Sequence, residues 1–217
     1  MGRDQATGMD GPRPKRFGLK AKNPIIILEG PDGSGKTTFA KNAGGHYLHA
    51  SYRFRNNMVA YHLWLLKKAI ELSETDHVVI DRWRLSEIVY GNVFRGGHAQ
   101  PERSEWMFNL AMSQGVEFVI CLPNDRKAYL EDYQQRLVED RVDKYKRMTL
   151  NNSDMRDIIS RMGDVYDEYD RQRHEHVYHL VYDRFEAMPN AGAALSNLLK
   201  MSFNPSLIET INCEGET

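Results

Sequence analysis

The stretch Ile25-Ile26-Ile27-Leu28-Glu29-Gly30-Pro31-Asp32-Gly33-Ser34-Gly35-Lys36-Thr37-Thr38 decides the fold. Its four leading apolar residues read as a strand buried on both faces, the kind found in a parallel sheet. Gly30 to Thr37 then fits G-x-x-x-x-G-K-[ST], a loop that binds phosphate. The glycines let the backbone curl so that successive N–H groups, those of Gly33, Ser34 and Gly35 among them, converge on one oxyanion. A helix starting near Lys36 adds the positive end of its dipole, with Thr38 in its first turn. The spacing assigns Lys36 to the β- and γ-phosphates of a nucleoside triphosphate and the Thr37 hydroxyl to Mg²⁺.

Outward from that loop the chain alternates strand and helix. Gly44-Gly45 stops the first helix, and His46-Tyr47-Leu48-His49 makes a short second strand. Ser51 to Arg55 is a loop carrying Arg53 and Arg55, and Asn56 to Leu72 has helical spacing. His77-Val78-Val79-Ile80 is a third buried strand that runs straight into Asp81-Arg82. Helices are expected over Leu85 to Val93 and Pro101 to Ser113, a strand over Glu117 to Cys121, and a helix from Arg126 to about Val138. The charged segment Glu139 to Asn152 precedes a helix capped by Asn152 or Ser153 that ends near Gln172. Val177 to Tyr182 is a fifth strand, and Pro189 to Lys200 a last helix. Such alternation gives an α/β fold, a five-stranded parallel sheet with helices on both faces. Ligands then sit beyond the carboxyl ends of the strands, where the glycine loop, Asp81-Arg82 and the Leu122-Pro123-Asn124 turn all fall.

The totals agree with one such domain. With 217 residues, 41% of them hydrophobic, the chain can bury a sizeable core. Residues 1–23 read as a basic, disordered leader, 24–203 as the domain, and 204–217 as a flexible tail. A net charge of −1 gives no global basic field for holding nucleic acid. Two cysteines make no disulfide framework, and no apolar run approaches membrane-spanning length, so the chain reads as cytoplasmic. His174, His176 and His179 run into a strand without Cys or acidic ligands at useful spacing and are read as strand residues.

Asp81, at the end of a buried strand, can hold Mg²⁺ as the acidic partner of Thr37 or accept a proton from an attacking group. Arg82 beside it offers a planar fork for phosphate. Here a family resemblance enters. The stretch from Ile27 to Thr38 resembles the opening of thymidylate kinases, and Asp81-Arg82-Trp83-x-x-Ser86-x-x-Val89-Tyr90 resembles that family's D-R-[YH]-x-x-S-x-x-A-Y signature. The resemblance implies a three-layer P-loop nucleoside monophosphate kinase with a small lid, here about residues 136–152. It implies that ATP-Mg²⁺ donates its γ-phosphoryl group to a 5′-phosphate, often that of a thymidine nucleotide. It places Asp32 near the acceptor's sugar hydroxyl or phosphate, Arg82 on the acceptor phosphate, and Ser86 and Tyr90 along the acceptor pocket. It also implies a homodimer.

Two departures stand out. Some family members carry an arginine just after the acidic residue of the loop, where this chain has Gly33. The missing charge then falls to the lid, with Arg136 and Arg141 as candidates and Arg147 behind them. No Phe-x-x-x-Arg pair precedes Asp81; Arg53 or Arg55 is assigned to the acceptor phosphate, and Tyr61 or Trp64 to stacking on a base. The expected acceptor is a deoxypyrimidine monophosphate, dTMP or a modified analogue. The alternative is a hydroxyl, of a deoxynucleoside or of a hydroxymethylated pyrimidine in DNA, as in virus-encoded relatives that the sequence also resembles and that work in a host cytoplasm.

Overall fold

A computed structural model describes residues 20–50, 58–97, 103–143, 152–172 and 177–182, without the side chains of 139–143, 152–155 and 177–182. Its elements run β1 (Ile25–Glu29), α1 (Lys36–Ala43), β2 (His46–His49), α2 (Met58–Leu72), β3 (Val78–Asp81) and α3 (Arg84–Arg95). They continue with α4 (Ser104–Ser113), β4 (Val116–Pro123), α5 (Arg126–Asp143), α6 (Asn152–Arg171) and β5 (Val177–Tyr182). The strands form one sheet in the order β2-β3-β1-β4-β5, every neighbouring pair parallel. This is the α/β parallel sheet with helices that the alternation predicts.

The apolar run of β1 explains why that strand is central. Ile25, Ile26, Ile27 and Leu28 are all fully buried, and a strand's side chains alternate between faces. Ile25 and Ile27 pack in one cluster with Leu65, Leu66 and Ala69 of α2 and Met107 and Ala111 of α4. Ile26 and Leu28 pack on the opposite face with Phe39 and Ala40 of α1. A third cluster joins Ile120 and Leu122 of β4 to α3, α5 and α6, the last through Met162, Val165, Tyr166 and Tyr169, one stripe of that helix. The register sets Leu28 beside Asp81 and Asp81 beside His49, so the ends of β1, β3 and β2 lie at one edge.

Several boundaries differ by a few residues from the sequence expectation, and three of the differences have a physical reason. Residues 20–23 dock on the domain: the backbone and side-chain N–H groups of Asn23 donate to the Ser73 carbonyl, and the Lys22 backbone N–H to the Ser73 hydroxyl. Groups left over at the end of α2 thus find partners in the leader's last residues. Helix α5 continues to Asp143, since mixed charge on an exposed helix is no stop signal without Gly or Pro. Helix α3 begins one residue early, at Arg84, for a reason that involves Glu29 (below). Arg53, Arg55, Arg147, His174, His176, the first 19 residues, the helix expected from Pro189 and the tail lie outside the described residues. Among the described residues no helix is long and apolar enough to cross a membrane.

Candidate active site

The glycine loop leaves β1 through Gly30, whose φ of 137° only glycine adopts readily. A Cβ there would lie 2.3 Å from the Cys121 carbonyl oxygen of β4, so the loop can cross the sheet edge only without a side chain. Gly35, at φ 80°, starts α1 and leaves no side-chain cap on the helix N-terminus. Lys36 is buried, and its ammonium donates to the Pro31 carbonyl (2.6 Å) and the Ser34 hydroxyl (3.1 Å). Burial, helped by the nearby Arg82 charge, lowers its pKa to about 7. The loop folds its lysine back onto itself, and the Asp81 and Asp32 charges offset only part of the effect of burial.

Asp32 is held at both ends of its peptide unit. Its N–H donates to the Tyr90 hydroxyl of α3 (2.8 Å), and its carbonyl accepts from the Tyr129 hydroxyl of α5 (2.8 Å). Its half-exposed carboxylate pairs with Arg82. Above the loop stands Arg136 of α5, whose Nη1 lies 3.3 Å from where a Cβ on Gly33 would be. An ion pair with Asp132 one turn back (3.0 Å) holds that guanidinium.

At the end of β3 one carboxylate oxygen of Asp81 accepts from the Thr37 hydroxyl (2.5 Å) and the Tyr47 hydroxyl (3.0 Å), with His49 Nδ1 3.5 Å away. The other oxygen is buried without a hydrogen-bond partner among the described residues. A buried carboxylate oxygen left unsatisfied beside a hydroxyl, in residues that line an open cleft, fits a hard divalent cation. Thr37 and Asp81, the two residues the sequence assigns to Mg²⁺, thus lie within hydrogen-bond distance of each other at the cleft.

Arg82 occupies the left-handed region at φ 71°, the only non-glycine among the described residues to do so. Such a conformation costs about 1–3 kcal/mol and persists only where its surroundings over-determine it. The guanidinium donates to Ser86 Oγ (3.2 Å) and to the Asp32 carboxylate, and its Cζ sits 4.9 Å over the Tyr90 ring. The Ser86 hydroxyl donates to Glu29 and accepts from Arg82 and from the Tyr169 hydroxyl (2.8 Å). Its single donor and both lone pairs are then used in this network, which ties Ser86 to Arg82.

These groups border two cavities that share Arg82. A cleft of about 260 Å³ is lined by Asp32, Gly33 and the stretch from Gly35 to Thr38, together with His49, Asp81 and Arg136. On the other side a slot of about 10 Å³, room for about one water, lies among Met58, His62, Trp83 and Ser86. Of the residues singled out from sequence, the structure brings together the glycine loop, Asp32, Lys36, Thr37, Thr38, Asp81, Arg82, Ser86, Tyr90 and Arg136. Tyr61 lines neither cavity: its ring stacks on Trp64, and its hydroxyl lies 3.4 Å from the His49 carbonyl. Arg141 is in α5, but its side chain lies outside the description. Sequence reasoning missed Tyr47, His49, His62, Tyr129 and Glu29. Only Glu29 carried a signal, an ionisable residue closing an apolar strand.

No protein-family model and no curated protein sequence matches the chain. Several solved structures do. The YorR protein of Bacillus subtilis, in complex with phosphorylated GDP, aligns with a TM-score of 0.53 at 19% identity over 82% of this chain and 97% of its own. Polyphosphate kinase 2 of Arthrobacter aurescens TC1 aligns at 0.56 and 14% identity, covering 91% and 74%. Thymidylate kinase of Candida albicans aligns more loosely, at 0.47 and 13% identity over 84% and 93%. At such identities the likeness is one of architecture: the chain shares a parallel α/β sheet with flanking helices with YorR and polyphosphate kinase 2.

Proposed function

We propose that the protein is an ATP- and Mg²⁺-dependent phosphotransferase whose acceptor is a deoxypyrimidine monophosphate, dTMP or a modified analogue. The observation that carries this reading is the position of Arg82. It lines the cleft of about 260 Å³ beside Lys36 and Arg136, where donor and acceptor phosphates would meet, and its far side borders the one-water slot between α2 and α3.

Lys36 and the N–H groups at the start of α1 hold the β- and γ-phosphates of the donor. Thr37 and Asp81 would hold Mg²⁺, which supplies neutralising charge to the phosphates. Arg82 exchanges its Asp32 partner for the acceptor's 5′-phosphate and aligns an oxygen of it with the γ-phosphorus. Arg136, beside Gly33 where some thymidylate kinases carry an arginine, neutralises the equatorial oxygens. The bond from the γ-phosphorus to the β-γ bridging oxygen breaks as the bond to the acceptor oxygen forms. A phosphate oxyanion needs no general base in that step. A hydroxyl acceptor does, and Asp32 or Asp81 would have to take its proton.

The second reading, a hydroxyl acceptor in a deoxynucleoside or in hydroxymethylated DNA, draws on the acceptor side. There α2 presents His62, which burial and the Arg84 charge keep neutral with a pKa of about 3, and no arginine. Incubation with labelled ATP and, separately, dTMP, thymidine and DNA containing hydroxymethyluracil tests both readings. Label is expected in dTMP. Label in thymidine or DNA alone overturns the first reading, and full turnover by Arg82→Ala removes the role assigned to that residue.

A further inference from the structure

Glu29 closes β1 fully buried, a charged residue at the end of four aliphatic ones. Its two oxygens accept the backbone N–H groups of Trp83 (3.0 Å), Leu85 (3.2 Å) and Ser86 (3.1 Å), and the Ser86 hydroxyl as well. Trp83 is the N-cap of α3, and Leu85 and Ser86 are the second and third residues of that helix. Their N–H groups are the orphan donors that a local Ser, Asp or Asn cap usually satisfies. Trp83 has no side-chain oxygen, and α3 carries no cap of its own. The acceptor is supplied instead by a neighbouring strand.

Three of the four partners of Glu29 are backbone N–H groups, which can only donate, so its carboxyl oxygens serve as their acceptors. Burial raises its pKa, and the Ser86 and Trp83 hydrogen bonds and the nearby Arg82 charge offset part of that rise. Arg82 sits between two fixed points. Its own N–H donates to the Leu28 carbonyl (2.9 Å), and the next N–H, that of Trp83, is held by Glu29. Glu29 also takes the hydrogen of Ser86, which leaves the Ser86 lone pairs to receive Arg82 and Tyr169.

We propose that Glu29 is a positioning residue for phosphoryl transfer: by capping α3 from β1 it holds Arg82 in its left-handed conformation, with the guanidinium between the two cavities. Its place in the reaction rests on the reading of Arg82 as the acceptor-phosphate ligand. The mechanical part, Glu29 fixing Arg82, does not. Glu29→Gln conserves size but has one accepting oxygen and turns an NH₂ toward donors.

The test compares Glu29→Gln, Glu29→Asp and a core control, Ile26→Ala, each verified as folded by circular dichroism. For Glu29→Gln the Kd of MgADP stays within about twofold, while kcat/KM for dTMP falls at least about tenfold. The Arg82 Nε–H NMR resonance, assigned by its loss in Arg82→Lys, shifts or broadens. In an Arg82→Lys background the added cost of Glu29→Gln drops below about twofold, because the residue it acts through has gone. Glu29→Asp, which keeps the carboxyl group, recovers part of the loss. Ile26→Ala lowers Tm and leaves the Arg82 resonance in place. The proposal is overturned if Glu29→Gln behaves like Ile26→Ala, or if its effect adds fully to that of Arg82→Lys. Should Glu29→Gln not fold, Glu29→Asp carries the same measurements. If the wild-type protein phosphorylates none of the acceptors above, the proposed function fails and the Arg82 resonance still decides the role of Glu29.

Discussion

Proton linkage at Lys36 offers the sharpest check on the phosphate cradle. Burial lowers its pKa from the ordinary 10.5 to about 7 in the free protein. That difference corresponds to about 5 kcal/mol of interaction that the charged form lacks before a ligand arrives. Phosphates entering the cleft supply negative charge and restore the higher value, so binding takes up a proton wherever free Lys36 is neutral. With Lys36 half neutral at about pH 7 and nearly all neutral at about pH 9, the affinity for MgADP should fall about fiftyfold across that interval. Isothermal titration in buffers of differing ionisation enthalpy measures both the Kd and the uptake, which should approach one proton at the upper end. Lys36→Met should bind weakly at every pH with a flat profile. The sign for stability is the opposite. The folded-state value lies below the unfolded one, so the unfolded chain binds more protons between about pH 7 and 10.5, and the free protein gains stability from this group as pH rises through that window. An affinity independent of pH from 7 to 9, or no proton uptake, would refute the claim that the cradle holds a desolvated lysine awaiting an anion.

Three further outcomes are expected. Gly30→Ala puts a methyl group 2.3 Å from the Cys121 carbonyl at φ 137°; it should cost about 2–4 kcal/mol in chemical denaturation and abolish MgADP binding. Arg136→Ala should lower kcat about a hundredfold or more with little change in the Kd of MgADP, and adding Gly33→Arg should return part of it, because the two side chains would compete for one space; a Gly33→Arg/Arg136→Ala pair no better than Arg136→Ala alone counts against that shared role. Tyr129→Phe removes one hydrogen bond to the Asp32 carbonyl (2.8 Å) and should reduce stability by about 1 kcal/mol, read from urea midpoints.

Much of this protein could be read from its chain because the physics involved is local. Four consecutive aliphatic residues running into a glycine loop read as a strand covered on both faces, and Ile25 to Leu28 are buried as that requires. The spacing of Gly30, Gly35, Lys36 and Thr37 dictates a curled backbone with a helix dipole behind it, and α1 begins at Lys36 as expected. Asp81 falls where Thr37 can reach it because the parallel order sets the ends of β1 and β3 side by side.

What the chain could not disclose depends on partners distant in sequence. Tyr129 meets Asp32 across 97 residues, and Glu29 meets Ser86 across 57. Neither pairing leaves a periodic or spacing signal. Ser86 and Tyr90 share a helix face in the sequence, but only packing shows that the Ser86 hydroxyl is spent on Glu29, Arg82 and Tyr169, and that the Tyr90 ring lies under a guanidinium. The left-handed backbone at Arg82 is likewise invisible in a residue type that avoids it. The sequence by itself determined the strand and the curled glycine loop from which phosphate binding is proposed, because each is a property of adjacent residues. The tertiary structure alone decided which side chains are consumed in holding Arg82 and which face the cleft, because hydrogen-bond capacity is finite and is shared out among neighbours that only folding brings together.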